Sequence, residues 1–244
     1  MNVFGISNLN NNCWLNSLIQ IILSCKDLHA YILKHAQTQN LIVYNEFARL
    51  ANCTGTVISL DAQFIKFMSN FDNASTGPKC VDEALLYLFD KIGDNEPPFG
   101  IRERISIECS TCSHVEDHVD YLPFKQIYRS CNIFEDLINT QTFTNENHKC
   151  SKCSELAPAT VTRNLISVRK YILFLTNGFT CTIPLQFSIG NFQFHLSAVV
   201  YYAGGHYYTC AVRDSKIYLF NDANYSEINQ FIASHIYMLC YEKN

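Results

Sequence analysis

The sequence predicts an α+β fold, and three observations predict it. Apolar residues recur at helical spacing up to about residue 95. A breaker, Asp94-Asn95-Glu96-Pro97-Pro98-Phe99-Gly100, closes that region. Beyond it the pattern turns to strands, dominant from Lys170 onward, so a helical lobe is followed by a sheet lobe.

Taken in order, the first helix follows an Asn-rich loop and begins at Cys13, where Trp14, Leu15, Leu18, Ile19, Ile22 and Leu23 form one stripe. Similar stripes predict helices in 41–52 (Leu41, Ile42, Tyr44, Phe47, Leu50), 59–71 (Leu60, Phe64, Phe67, Met68) and 82–92 (Ala84, Leu85, Leu88, Phe89, Ile92). Val115–Leu122 reads as a strand, and Asn132 with Glu135 has capping-box spacing for a short helix over 132–139. Phe192, Phe194, Leu196, Ala198 and Val200 alternate with Gln193, His195, Ser197 and Val199, as a strand with one buried face does. Strands at 206–213 and 215–220 follow, then a short helix near 226–233 with Ser226 as N-cap, and a last strand over His235–Tyr241. Neither an internal repeat nor a long linker interrupts the pattern.

With 244 residues, 48% hydrophobic and 16% charged, the chain can bury a sizeable core as one domain or one domain with a subdomain. A net charge of -4 and a pI near 6.0 give no reason to expect nucleic acid or an anionic membrane as partner. No run reaches membrane-span length, and Met1-Asn2-Val3-Phe4-Gly5 lacks the features of a secretion signal. A soluble, intracellular protein is expected, cytoplasmic or nuclear, and monomeric. Twelve cysteines fit that setting if some bind metal and the rest stay reduced. A secreted disulfide protein is the alternative; the large apolar core and the pairing of four cysteines count against it.

Cys13 stands after a polar loop and before a helical run, which is where a nucleophile is placed. The loop supplies amide donors and the helix start lowers a thiol pKa. Late in the chain come Gly204-Gly205-His206-Tyr207 and then Phe220-Asn221-Asp222. Cys early, His late and Asn or Asp after it is the chain order of a papain-like triad. The bland reading is a buried cysteine at the start of a core helix, a satisfied core histidine, and a strand ending in a turn at Asn221-Asp222. His195, the rival base, falls by alternation on the solvated face of its strand.

Cys109-Ser110-Thr111-Cys112 and Cys150-Ser151-Lys152-Cys153 form two Cys-x-x-Cys pairs. Four thiolates so spaced complete a closed tetrahedral zinc site with no open position, hence a structural metal. The intervening 113–149 segment is expected to form a hairpin-like extension pinned at its base by the metal. His114, His118 and His148 lie nearby and are expected to be surface residues.

These motifs resemble the ubiquitin-specific protease family of deubiquitinating enzymes. Residues 5–20 follow the family's Cys box in register, with Asn10, Asn12 and Trp14 as departures. Gly205-His206-Tyr207 with Phe220-Asn221-Asp222 matches its His box, and Tyr237-Met238-Leu239-Cys240-Tyr241 resembles its closing strand. The resemblance implies a papain-like right hand: a helical thumb over about 1–95, zinc-binding fingers with part of the palm over about 101–178, and a palm sheet over about 179–244. It implies ubiquitin or ubiquitinated proteins as partner. By the resemblance, Cys13 is the nucleophile, His206 the base, Asn221 its orienter with Asp222 as neighbour and alternative, and Asn8 the side-chain donor to the oxyanion.

The resemblance has gaps. In the helix lining the family's tail channel, the expected acid falls on Cys80, with Asp82 as a stand-in and Glu83 in its place within Lys79-Cys80-Val81-Asp82-Glu83-Ala84-Leu85. The Gly204-Gly205 turn beside the channel is short where the family has a longer loop, and the stretch from Phe179 to Pro184 is trimmed. A compact catalytic domain without an appended targeting domain is expected, an economy suited to a viral or parasite enzyme. Three other readings compete: a protease for another ubiquitin-like modifier, a catalytically weak ubiquitin-binding module, and a zinc-stabilised structural protein. The last leaves residues 5–20 and 204–222 unexplained.

Overall fold

The protein is described from a computed structural model covering residues 3–9, 11–71, 79–93, 97–127, 140–176 and 183–244. Four of the five helices among the described residues lie where the apolar stripes place them, and the sequence reading names none over Lys26–Gln39. The five are α1 (Cys13–Ser24), α2 (Lys26–Gln39), α3 (Leu41–Ala51), α4 (Ala62–Met68) and α5 (Val81–Lys91). Helix α1 is apolar nearly all round, and every residue from Cys13 to Leu23 is buried, so it is a central helix and not a surface one. Helix α4 starts at Asp61, whose carboxylate accepts from the Gln63 and Phe64 amides at 2.8 and 3.2 Å. The short helix expected over 132–139 lies outside the described residues.

Two short strands, β1 (Gly5–Ile6) and β2 (Val57–Ile58), pair in parallel and hold the approach to α1. The main sheet has eight strands. In chain order these are β5 (Lys125–Gln126), β8 (Tyr171–Leu175), β9 (Gln186–Ile189), β10 (Phe192–Ala203), β11 (His206–Arg213), β12 (Lys216–Asn221), β13 (Asn224–Ile228) and β14 (Ile236–Lys243). Their spatial order is β13-β12-β11-β10-β14-β8-β5, with β9 sharing β10's edge with β11. A separate sheet, ordered β4-β3-β7-β6, consists of β3 (Ile101–Cys109), β4 (Val115–Leu122), β6 (Gln141–Lys149) and β7 (Leu156–Val168). Two hydrophobic clusters result. One joins the helices to one face of the main sheet through Ala198, Val200, Tyr207, Ala211 and Phe220; the other fills the opposite face around Phe174, Phe194, Leu196, Val199 and Tyr201.

Besides α2, the structure departs from the sequence reading at three places. Strand β10 does not keep one buried face: Phe192 is 49% exposed, and everything from Leu196 to Tyr201 is buried. A register shift between Leu196 and Ala198 puts Phe194 and Leu196 in one cluster and Ala198 and Val200 in the other. The helix expected near 226–233 is absent. Ser226 pairs with Leu219 inside β13, because a two-residue turn at Asp222-Ala223, with Asp222 at φ 53°, folds 224–228 back as a hairpin. Finally, 113–149 does not fold as a hairpin of its own: its two ends meet at the cysteines, but its strands β4 and β6 lie on opposite edges of the four-stranded sheet. The two cysteine knuckles close the β3–β4 and β6–β7 hairpins, so they sit together at one end of the four-stranded sheet and Val115–Leu122 runs back along β3.

Candidate active site and cysteine cluster

Cys13 is 7% exposed at the first turn of α1. The Asn-rich loop before it turns through Asn11 at φ 61°, a conformation that Asn tolerates better than most residues. No side chain caps the helix and no acid stands in its first turn, so its leading amides face the thiol and the space before it. The thiol lies against its own N–H and that of Trp14, and against the Tyr207 N–H, the residue after His206. Strand alternation explains that last donor. Ala203 and His206 close the Gly204-Gly205 hairpin, so the Tyr207 amide points away from β10, toward the side where the β11–β12 ladder begins only at Thr209 and Phe220. Burial pushes the Cys13 thiol up, the Tyr207 amide pulls it down, and the charge of Asp222 pushes it up again.

His206 is half-buried at the head of β11, with Nε2 2.8 Å from Asn221 Oδ1 at the end of β12. An amide oxygen only accepts, so Nε2 carries the proton and the neutral ring keeps Nδ1 as its basic atom. Asp222 does more than stand beside Asn221. Its Oδ2 accepts from Asn8 Nδ2 at 2.8 Å and lies 3.8 Å from His206 Nε2. Its Oδ1 accepts from Asn16 Nδ2 at 2.7 Å, and its backbone carbonyl accepts from the Ile6 amide at 2.9 Å. Asn8 in turn accepts from the Asn12 amide at 2.7 Å. One carboxylate therefore fastens the loop before Cys13 to the strand end beside His206.

Sequence reasoning missed two members of this junction. Asn16 lies on α1 four residues past Asn12 and had no role assigned; only the fold brings it to Asp222. Gly5 leaves room for the turn: a Cβ there would stand 2.0 Å from the Ala223 carbonyl oxygen. Gly204 and Gly205 differ from it. An added Cβ would meet nothing within 4 Å, and their φ values of 58° and 81° are the reason for glycine. His195 is 45% exposed on its side chain and hydrogen-bonded to Asn244 at 2.7 Å, apart from this group.

At the start of α5, Asp82 Oδ1 accepts from Tyr237 OH at 2.5 Å, and Cys80 lies within reach of the Tyr237 and Tyr207 hydroxyls. Glu83 is exposed beside Phe71, Leu86 and Tyr87, so it is the acid that faces outward.

The four cysteines Cys109, Cys112, Cys150 and Cys153 bring their sulfurs within 4.8 Å of one another. Cys109 and Cys153 are 3.9 Å apart and Cys112 and Cys150 3.6 Å. A tetrahedron with metal–sulfur bonds of about 2.3 Å has edges of about 3.8 Å, so the set fits a four-coordinate thiophilic ion. The two knuckles repeat one turn: the Ser113 and Ser154 amides bond back to the Cys109 and Cys150 carbonyls at 2.9 and 3.0 Å, with both serines at positive φ. Amides of Cys112 and Thr111 hold the Cys109 thiol down at about 6. Against the pull of the Glu155 amide, burial and the other three thiols push Cys153 to about 12. Of the three histidines expected at the surface, His118 is exposed, but His148 keeps only 13% of its side chain exposed beside Glu116, and none joins the sulfurs.

A family model, ubiquitin carboxyl-terminal hydrolase, matches residues 4–241. The chain belongs to that papain-like family of cysteine-type ubiquitinyl hydrolases, which act on ubiquitin or ubiquitinated proteins. No curated protein matches the chain. Among the described residues no helix is long and apolar enough to cross a membrane.

Proposed function

We propose that this chain hydrolyses the isopeptide or peptide bond after the C-terminal glycine of ubiquitin through an acyl-enzyme thioester. Cys13 attacks the glycine carbonyl as its proton passes to His206. The tetrahedral oxyanion is met by the first amides of α1 and by the second N–H of Asn8 Nδ2, whose first is held by Asp222. Collapse expels the lysine amine, which takes the proton back from His206, and water then cleaves the thioester by the same route in reverse. Asn221 keeps the imidazole in the tautomer this sequence needs. The observation that carries the reading is the Asp222 junction, which ties the thiol's loop to the His206–Asn221 pair.

The tail of ubiquitin would approach between the Gly204-Gly205 turn and the start of α5, where Asp82 and Glu83 supply negative charge. Asp82 already bonds Tyr237, so Glu83 is the freer acid. Cys109, Cys112, Cys150 and Cys153 would hold one structural zinc, as the fingers of such a hand, fixing the ends of two hairpins and leaving no site for chemistry.

The test is incubation with ubiquitin and a panel of ubiquitin-like modifiers, each carrying a C-terminal electrophile, beside Cys13→Ala. A Cys13-dependent adduct with ubiquitin is expected. Labelling of another modifier alone would move the activity to that substrate, which the Cys80 substitution and the engaged Asp82 favour as the second reading. No adduct with any member would sink both.

A further inference from the structure

Helix α1 and strand β11 carry the thiol and the imidazole, and they touch along their whole lengths. At one end Cys13 meets the Tyr207 amide. In the middle Thr209 Oγ1 donates to the Ser17 carbonyl at 3.4 Å. At the far end Arg213, 3% exposed, reaches from the last residue of β11 to the last turns of α1. Its Nη2 donates to Gln20 Oε1 and, at 3.4 Å, to the Gln20 carbonyl; its Nε donates to Ser24 Oγ at 3.2 Å. Ser24 Oγ itself donates to the Gln20 carbonyl at 2.7 Å.

The guanidinium also lies near two aromatic rings. Its centre lies 4.5 Å from the Phe220 ring and 5.9 Å from the Phe4 ring, both buried. Phe220 directly precedes Asn221, and Phe4 directly precedes the β1 segment that leads to the Cys13 loop. Gln20 closes the circuit by donating to the Phe4 carbonyl at 2.9 Å. One buried cation therefore contacts the helix of the nucleophile, the strand of the orienter and the segment entering the Cys13 loop, while standing on the strand of the base. Burying a guanidinium is costly, and desolvation lowers this one to about 10. An apolar side chain would fill the same space beside two rings without that cost.

We infer that Arg213 is a positioning residue: it sets the register of α1 on β11, and through it the placement of Cys13 against His206. The inference rests on the proposed roles of those two residues. A planar fork with fixed donors defines one register, where an apolar contact would let the helix slide. Misplacement by about 1 Å at reacting atoms costs about 10²-fold, so a small slide is enough to matter.

The experiment compares wild type, Cys13→Ala, Arg213→Met and Arg213→Lys in hydrolysis of ubiquitin carrying a C-terminal fluorogenic amide, with folded fraction measured by circular dichroism at the assay temperature. Loss of a register clamp lowers kcat of folded Arg213→Met by about tenfold or more with KM within about twofold, and Arg213→Lys, which keeps the charge on a single nitrogen but not the planar fork, falls between. A folded Arg213→Met with kcat within about twofold of wild type, whatever its melting temperature, overturns the inference. Should Arg213→Met not fold, Arg213→Lys carries the same comparison. Wild type that hydrolyses nothing refutes the enzyme reading instead. The rate of Cys13 alkylation by iodoacetamide, which needs no ubiquitin, then decides for Arg213: a several-fold change supports the clamp and an unchanged rate overturns it.

Discussion

Cys13 is buried, close to three backbone amides, and near the negative charge of Asp222. Its pKa lies above that of an ordinary thiol, first because of burial and then because of Asp222, so at neutral pH the resting group is largely protonated. The two effects of Asp222 can be separated. Asp222→Asn removes the negative charge, which lowers the Cys13 pKa, so alkylation by iodoacetamide at neutral pH should speed up. Hydrolysis of a ubiquitin substrate should slow by about 10²-fold, since Asn8 loses its anchor and the oxyanion a donor. If both rates fall together, Asp222 acts on the thiol some other way. Asn221 is exposed and makes one bond to the ring, whereas the Asp222 carboxylate holds both Asn8 and Asn16, so Asp222→Ala should cost at least as much activity as Asn221→Ala in steady-state kinetics. The residue types of this site were legible in the sequence. That Asp222, read as an alternative to Asn221, is instead the hub was not, because its partners lie more than two hundred positions away.

At the scale of elements, the helical half was the more legible. Its stripes depend on residues within one turn of each other, and the helices expected behind Cys13 and in 41–52, 59–71 and 82–92 are all present, with α2 as an unexpected fifth. The sheet half was harder. Residues 226–233 carry a plausible N-cap and an apolar pair, but long-range pairing with β12 overrides that local preference. Likewise the shift in β10 depends on its pairing with β14, which no window along β10 contains. Two substitutions separate stability from function here. Asp61→Ala removes the α4 cap far from the site, so thermal or urea unfolding should show a loss of about 1 kcal/mol with kcat unchanged. Gly5→Ala drives a methyl group into the Ala223 carbonyl and must displace the Asp222 turn. Its kcat should drop about tenfold or more as the reacting groups separate, beyond any loss in folded fraction. A fully active Gly5→Ala would show that the turn yields without moving Asp222.

The two larger sheets of the molecule have separate supports. The main sheet is backed by helices; the four-stranded sheet ends in two knuckles whose thiols crowd one another. One zinc per chain is expected on metal analysis of protein purified without chelator. Cys112→Ser should lower that content, raise KM for ubiquitin substrates and leave the rate of Cys13 alkylation nearly unchanged. An equal fall in alkylation would mean that the two sheets are one cooperative unit. By itself the sequence determined four of the helices and the two Cys-x-x-Cys pairs and, through the family resemblance, the candidate set of Cys13, His206 and Asn221, because each motif is written in spacing within its own short segment. Only the tertiary structure decided what holds them together. The Asp222 junction, the room left by Gly5 and the Arg213 contact with α1 are meetings of segments remote in the chain, made where packing brings them and invisible to any local pattern.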